Sequence, residues 1–260
     1  MIDYHVHTYL CDHASGTPGD YIEKALEARL FEIGFSDHAP LPEHLRNDIT
    51  MEPEETEIYC SMLEGIKDKY PIAVKIGFEV DYPLHPTFDT QYFHDNRIDY
   101  MIGSCHFIDG WAFDHPLFVD EYNKRDINQV YRDYYSIVFD MVNSGLFDII
   151  GHFDLVKKFG YRATVDLTDH ILPIVKLAGK QATAIEINTS GLRKPVKEIY
   201  PSYDIIKLMF ENNVPITLGS DAHAPEEVAY SFYDTLPLIK RAGYKKIVGY
   251  NKRKQYSIIL

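Results

Sequence analysis

The 260-residue sequence predicts a single parallel α/β domain, residues 1–260, closed as a barrel. Two observations set the class and a third selects the closure. Strand-like and helix-like segments alternate seven times, with no linker, repeat or low-complexity tract between them. No glycine-rich phosphate fingerprint follows a strand, since Gly16 and Gly19 stand alone. Residues suited to binding metal follow many different strands, as sites at the C-terminal face of a barrel do; an open sheet would gather them at one switch point.

Residues 1–7 read as the first strand, in which side-chain alternation puts His5 and His7 on one face. The loop 8–16 carries Cys11, Asp12 and His13. A helix then starts with Thr17 as N-cap, Pro18 in the first turn and Asp20 at the positive end of the dipole. Tyr21, Ala25, Leu26 and Leu30 follow with helical spacing. Residues 31–35 form the second strand, ending in Ser36-Asp37-His38, and a proline-rich loop (39–53) leads to a helix over 54–69 that Pro71 stops. The third strand, 72–80, ends near Glu79. A helix around 87–96 precedes the fourth strand, 98–105, which ends at His106. An insertion, 107–122, holds the only tryptophan, Trp111. A long helix over 123–144 precedes the strand 147–150 and Gly151-His152. Helices over 167–178 and 203–212 alternate with strands over 182–187 and 215–219, the last ending in Ser220-Asp221-Ala222-His223. Another helix begins at Pro225-Glu226-Glu227, and 246–249 forms a short last strand or covers the bottom of the fold.

Composition narrows the function. With 45% hydrophobic and 25% charged residues the chain is an ordinary globular one. It has no apolar run of about 18 residues and no basic-then-apolar leader, so the expectation is a cytoplasmic protein without a membrane partner. Three cysteines (Cys11, Cys60 and Cys105) are too few and odd in number for a disulfide framework. A net charge of −13 argues against nucleic acid as a partner. It also looks wrong for an anionic substrate, unless metal ions concentrate positive charge locally. The 20 tyrosines and 14 phenylalanines are too dispersed for a base-stacking platform.

The strand ends supply that metal site. His5, His7, His38, Glu79, His106, His152, Asp221 and His223 lie there, and His13 on the first loop can return over the same face. Any one of these is more often a hydrogen-bonded structural residue, but all nine at one mouth are not. Nine ligands exceed one tetrahedral zinc; three divalent ions would use them if one carboxylate bridges, and Glu79 on a central strand is the natural bridge. Seven neutral imidazoles, two carboxylates and three divalent ions leave the site with about +4, enough to hold an anion in an acidic protein. Imidazole-rich sites accept zinc, iron or manganese.

The segments Asp3-Tyr4-His5-Val6-His7-Thr8, Ser36-Asp37-His38, Gly77-Phe78-Glu79, Ser104-Cys105-His106, Gly151-His152-Phe153-Asp154 and Ser220-Asp221-Ala222-His223 together resemble the polymerase and histidinol phosphatase (PHP) family. The likeness runs from Ile2 to about Tyr230, and is greatest to the stand-alone histidinol-phosphatase branch. It implies a distorted seven-stranded (β/α) barrel of TIM type and a trinuclear site. His5, His7, Glu79 and Asp221 would hold one ion, Glu79, His106 and His152 the second, and His13, His38 and His223 the third. Within the branch, residues 151–160 and 186–193 match the histidinol-phosphatase pattern and suggest Arg162 and Arg193 as phosphate contacts, with Lys158 a weaker candidate. Both arginines follow strands, where guanidinium forks grip phosphate oxygens.

The expected reaction is hydrolysis of a phosphate monoester, most closely L-histidinol phosphate, by a hydroxide bridging the first two ions. Metal-bound water or Asp154 would protonate the leaving group; alternatively, Asp37 and Asp154 orient His38 and His152. Asp109, Asp114 and Asp120, beside Trp111 in the insertion, are candidates to pair with the substrate's ammonium. The alternative substrate class is nucleotides or other small phosphate esters. A non-catalytic metal-binding module is the third reading, disfavoured by the complete ligand set. The oligomeric state, including a homo-oligomer, stays open.

Overall fold

In the computed structural model, which describes residues 1–46 and 49–260, seven parallel strands alternate with helices and form one sheet in sequence order. The strands are β1 (Ile2–Val6), β2 (Glu32–Phe35), β3 (Ala73–Asp81), β4 (Tyr100–Ser104), β5 (Ile149–Ile150), β6 (Ala184–Asn188) and β7 (Ile216–Gly219). Closure lies just past the end of β7: Val6 bridges Ala222 in parallel, His7 N donates to Ala222 O at 2.9 Å, and Ala222 N donates to His5 O at 3.2 Å. The β1–β2 register is interrupted between Asp3 and Val6, the stretch that carries His5.

Tyr100, on β4, spans the barrel interior. Its ring stacks on Tyr4 at 4.7 Å, and its hydroxyl donates to Tyr4 O at 2.7 Å and Phe35 O at 3.1 Å. Glycine on β3 makes the room: a Cβ at Gly77 would lie 2.6 Å from that ring. The outer layer is α1 (Pro18–Glu27), α2 (Thr56–Glu64), α3 (Ile127–Ser144), α4 (Thr168–Gln181), α5 (Tyr203–Glu211) and α6 (Phe232–Ala242). Thr17 and Asp20 form a reciprocal capping box at the start of α1, and the helix buries Tyr21, Ile22 and Ala25 against the barrel. No helix among the described residues is long and apolar enough to cross a membrane.

The bottom is covered by an antiparallel hairpin, β8 (Lys246–Asn251) and β9 (Lys254–Ile259), outside the seven-stranded sheet. Its Tyr256 and the Tyr4 hydroxyl both donate to Glu32, the first residue of β2. Arg253 pairs with Asp148 and donates to Phe93 O and Leu146 O. The short segment expected at 246–249 is thus one arm of a hairpin that seals the floor.

Element boundaries shift for local reasons. The helix expected over 54–69 is a 3-10 turn, Pro53–Glu55, followed by α2, which ends at Glu64 because Gly65 is a poor interior residue. That expected over 87–96 is a single 3-10 segment, Thr90–His94. The long helix begins at Ile127, not 123, because the Asp126 side chain caps it by accepting from Asn128 N at 2.9 Å. The insertion preceding it folds as a two-residue ribbon (Phe107–Ile108 with Trp111–Ala112) and a 3-10 segment, Pro116–Lys124. The helix expected from Pro225 is one 3-10 turn, and α6 starts only at Phe232. Ala229 and Ser231 between them have positive φ, and Ala229 N is drawn away to Asp3 Oδ2 at 2.9 Å. The loop 39–53 contains a one-turn helix, Glu43–Arg46, and part of it lies outside the described residues.

Candidate metal centre

Seven of the nine expected ligands line one cavity of about 760 Å³ at the C-terminal end of the strands, and His5 and His7 lie fully buried against Glu79 and Asp221. Glu79, at 1% exposure, is the hub. Its Oε2 lies 3.1 Å from His5 Nε2, 3.0 Å from His38 Nδ1 and 3.6 Å from His7 Nε2. Its Oε1 lies 2.8 Å from His152 Nε2 and 3.5 Å from His106 Nε2, which are 3.3 Å apart. Asp221 Oδ1 is 3.4 Å from His7 Nε2 and 3.9 Å from His5 Nε2. Ligand atoms of His13, His38 and His223 all lie within 4.8 Å of one another, as do those of His5, His7 and Asp221.

The residues fit metal ions on an observation independent of any likeness. His5 Nε2, both nitrogens of His7, Glu79 Oε2 and His223 Nε2 are buried without a hydrogen-bond partner. Such atoms are costly unless something satisfies them. The short distances between them lack hydrogen-bond geometry and instead surround points that cations would fill. Burial, followed by the neighbouring His38, lowers the pKa of His7 to about 3 and of His13 to about 4. Both are therefore neutral at physiological pH, which is the ligating form. For His106 burial acts in the same direction, but Asp81 and Glu79 outweigh it and push the pKa up to about 10. A cation held there would take the place of a proton, so metal uptake would release protons.

Carboxylates behind the ligands orient them, and sequence reasoning missed two. Glu186 Oε1 lies 2.7 Å from His5 Nδ1, and its Oε2 accepts from His152 N at 2.9 Å. Asp81 Oδ1 lies 2.9 Å from His106 Nδ1. The signal for Asp81 was present: it follows Glu79 by two residues on one strand, as His7 follows His5. The two added charges reduce the expected local +4 to about +2. The orienting roles considered for Asp37 and Asp154 are not met. Asp37 is taken up by Thr8 N and Oγ1, and Asp154 by Lys157 Nζ at 2.8 Å and Ser202 N at 2.9 Å. Asp221 itself has a positive φ of 53°, a strained conformation for a non-glycine residue held by the closure bonds around it.

Gly219 shows how tightly this frame is set. A Cβ there would lie 2.7 Å from His5 Cβ and collide with Glu186 Oε1, which is already fixed by His5 and the His152 backbone. Gly219→Ala is expected to lose about 1–3 kcal/mol of stability from overpacking. Activity should fall more than stability explains. Thermal denaturation and steady-state rates on the metal-loaded variant check this.

The substrate-contact candidates divide. Asp114, Lys158 and Arg193 line the cavity. Lys158 Nζ lies 2.9 Å from Asp114 Oδ2, and the Asp114 pKa falls to about 2: burial alone would raise it, but Lys158 and then His106 outweigh burial. The Arg193 side chain donates to Ser220 O and Asp221 O, while its Nη1 is buried and unpartnered. Arg162 and Asp154, expected as catalytic groups, are not in the lining. The Arg162 side chain is 51% exposed and donates to Glu198 at 2.7 Å, so charge pairing in the loop draws it outward. Asp109 is exposed, Asp120 does not line the cavity, and Trp111 is buried with its N–H bonded to Phe118 O and its ring under Arg125. Asp109 sits at the turn of the ribbon and Trp111 on its second strand, while Asp120 lies in the 3-10 segment that follows. Lys194 and Tyr200, which line it, were not anticipated.

A family model described as PHP domain matches residues 3–190. A protein of Deinococcus radiodurans described as a probable histidinol-phosphatase is 37% identical over 98% of both chains. The histidinol-phosphatase of Bacillus subtilis is 29% identical over 88% of this chain and 96% of its own. A crystal structure of histidinol phosphate phosphatase from Lactococcus lactis, complexed with zinc, L-histidinol and phosphate, superposes with a TM-score of 0.78 over 98% of both chains at 22% identity.

Proposed function

The chain belongs to the PHP-domain family, and we propose that it is a histidinol-phosphatase, hydrolysing L-histidinol phosphate to L-histidinol and phosphate in histidine biosynthesis. One observation carries the reading. Unpartnered metal-binding atoms form the floor of a cavity whose wall offers both a cation for phosphate and a carboxylate for an ammonium.

Three divalent ions account for the ligand count. His5, His7, Glu79 and Asp221 would hold the first, Glu79, His106 and His152 the second, and His13, His38 and His223 the third. Zinc is the first ion to test, since a neighbour of the same fold was crystallised with it; imidazole-rich donor sets also take iron or manganese. When bound, the ions supply Lewis acidity, lowering the pKa of water and neutralising phosphoryl oxygens.

The chain's own residues do the rest. Glu186 and Asp81 fix the rings of His5 and His106 from behind. Arg193, anchored by its Nη2 bonds, presents the free Nη1 to a phosphoryl oxygen. Asp114 is the cavity-lining carboxylate of the insertion, placed to pair with the ammonium of histidinol once Lys158 turns to the phosphate. A cytoplasmic enzyme of small-molecule metabolism belongs to the same proposal, with no nucleic-acid or membrane partner.

Elemental analysis of the purified protein, with phosphate release measured from histidinol phosphate and a panel of nucleotide monophosphates, tests the reading. The expected result is close to three ions per chain and a clear preference for histidinol phosphate. Preference for a nucleotide would overturn the substrate, and one ion per chain the trinuclear arrangement.

A further inference from the structure

Three cations reach the cavity wall from two loops: Lys158 after β5, and Arg193 and Lys194 after β6. The loops are joined, since Val196 N donates to Lys158 O at 3.1 Å. Two of these cations have protein partners. Lys158 pairs with Asp114, and Arg193 lies 3.1 Å from Glu227 in addition to its carbonyl bonds. Lys194 does not: its ammonium makes no hydrogen bond or ion pair with any described residue, although the side chain is half-buried. Its backbone is fixed, with N donating to Gly191 O and O accepting from Lys197 N, both at 3.1 Å. Burial lowers its pKa; Asp221 opposes this, while Lys158 and Arg193 add repulsion. A half-buried ammonium held among like charges is a cost that an anion between them would offset. Arg162, the other basic residue the sequence offered for this role, is bound to Glu198 instead.

We propose that Lys194 binds the phosphate group of the substrate beside the unpartnered Nη1 of Arg193, and so favours dianionic monoesters over diesters. This rests on the phosphatase reading and extends it. The metal cage alone serves either ester class, because its charge does not count ester bonds. A monoester carries two charges at the phosphate near neutral pH and a diester one, so an ammonium with no protein partner rewards the dianion. Lys194 is a binding and specificity residue here, separate from the ligands.

The test uses metal-loaded wild-type protein, Lys194→Met and Lys194→Arg. Lys194→Met is expected to weaken binding of inorganic phosphate, measured by calorimetry, by about tenfold or more, the size of one charge-assisted hydrogen bond. Inhibition by L-histidinol, which lacks the phosphate, should not change, nor should metal content, and the thermal midpoint should not fall, since the substitution removes an ammonium held among like charges. The ratio of turnover on p-nitrophenyl phosphate to that on bis-p-nitrophenyl phosphate should fall, and Lys194→Arg should restore most of both losses. Phosphate binding by Lys194→Met within twofold of wild type, or an unchanged ester ratio, would overturn the proposal. Because phosphate binding is read without turnover, failure of the wild-type protein to hydrolyse histidinol phosphate would remove the substrate assignment alone.

Discussion

Glu79→Gln is expected to lower kcat on histidinol phosphate by about a thousandfold or more, since each 1.36 kcal/mol of lost transition-state stabilisation is tenfold and a metal ion contributes several. Five histidines approach this one carboxylate, three at Oε2 and two at Oε1. Glutamine keeps the shape and the bond from Ser104 Oγ, 2.6 Å from Oε1, but removes the charge that two ions would share. Elemental analysis should find at least one ion fewer per chain, while far-UV circular dichroism stays that of the wild type. A variant with full metal content and near-normal kcat would remove Glu79 from the bridging role.

The second large effect is His5→Ala. His5 is fully buried, and besides facing Glu79 and Asp221 with Nε2 it holds Glu186 at Nδ1. Its loss should empty the first metal position and reduce kcat by about a thousandfold, again several kcal/mol of catalytic charge. The barrel should stay folded, because closure between β1 and the segment after β7 uses backbone groups of His5, His7 and Ala222 that alanine retains. Metal content and activity should therefore fall together while cooperative thermal unfolding persists. Normal turnover would mean that the trinuclear arrangement is wrong.

Much of this was legible in the sequence because barrel geometry makes strand ends predictable. Once strands are located by alternation and flanking breakers, the residue after each one is at the mouth, whichever helix follows. His5, His7, His38, Glu79, His106, His152, Asp221 and His223 were readable by that rule, and the structure brings them together. What the rule does not carry is direction within a loop. Arg162 and Arg193 both follow strands, yet Glu198 draws one outward while Ser220 O and Asp221 O hold the other inward. Those partners are 27 to 36 residues away and leave no local mark. Glu186 was hidden similarly: in a buried parallel strand flanked by isoleucines, a carboxylate announces itself only through the histidine it meets 181 residues earlier. The hairpin was half legible, since its first arm reads as a strand and nothing local says whether that strand enters the sheet.

The seam between β1 and β7 has a consequence for the order in which the protein is made. Asp3 binds Ser220, 217 residues later, and the Tyr4 hydroxyl takes its bond from Tyr250 N, 246 residues later. A chain emerging from the ribosome presents β1 first, yet β1 gains its second neighbour only when the region around Ala222 appears. Until then β1 can pair with β2 alone, and the exposed edge of a half-built sheet is a hazard for mispairing. Contacts this distant in sequence also make folding slow. The proposed metal positions that join His5 and His7 to Asp221, and His13 and His38 to His223, thus exist only once the two ends of the chain have met. An ion bound at either would report that the barrel has closed.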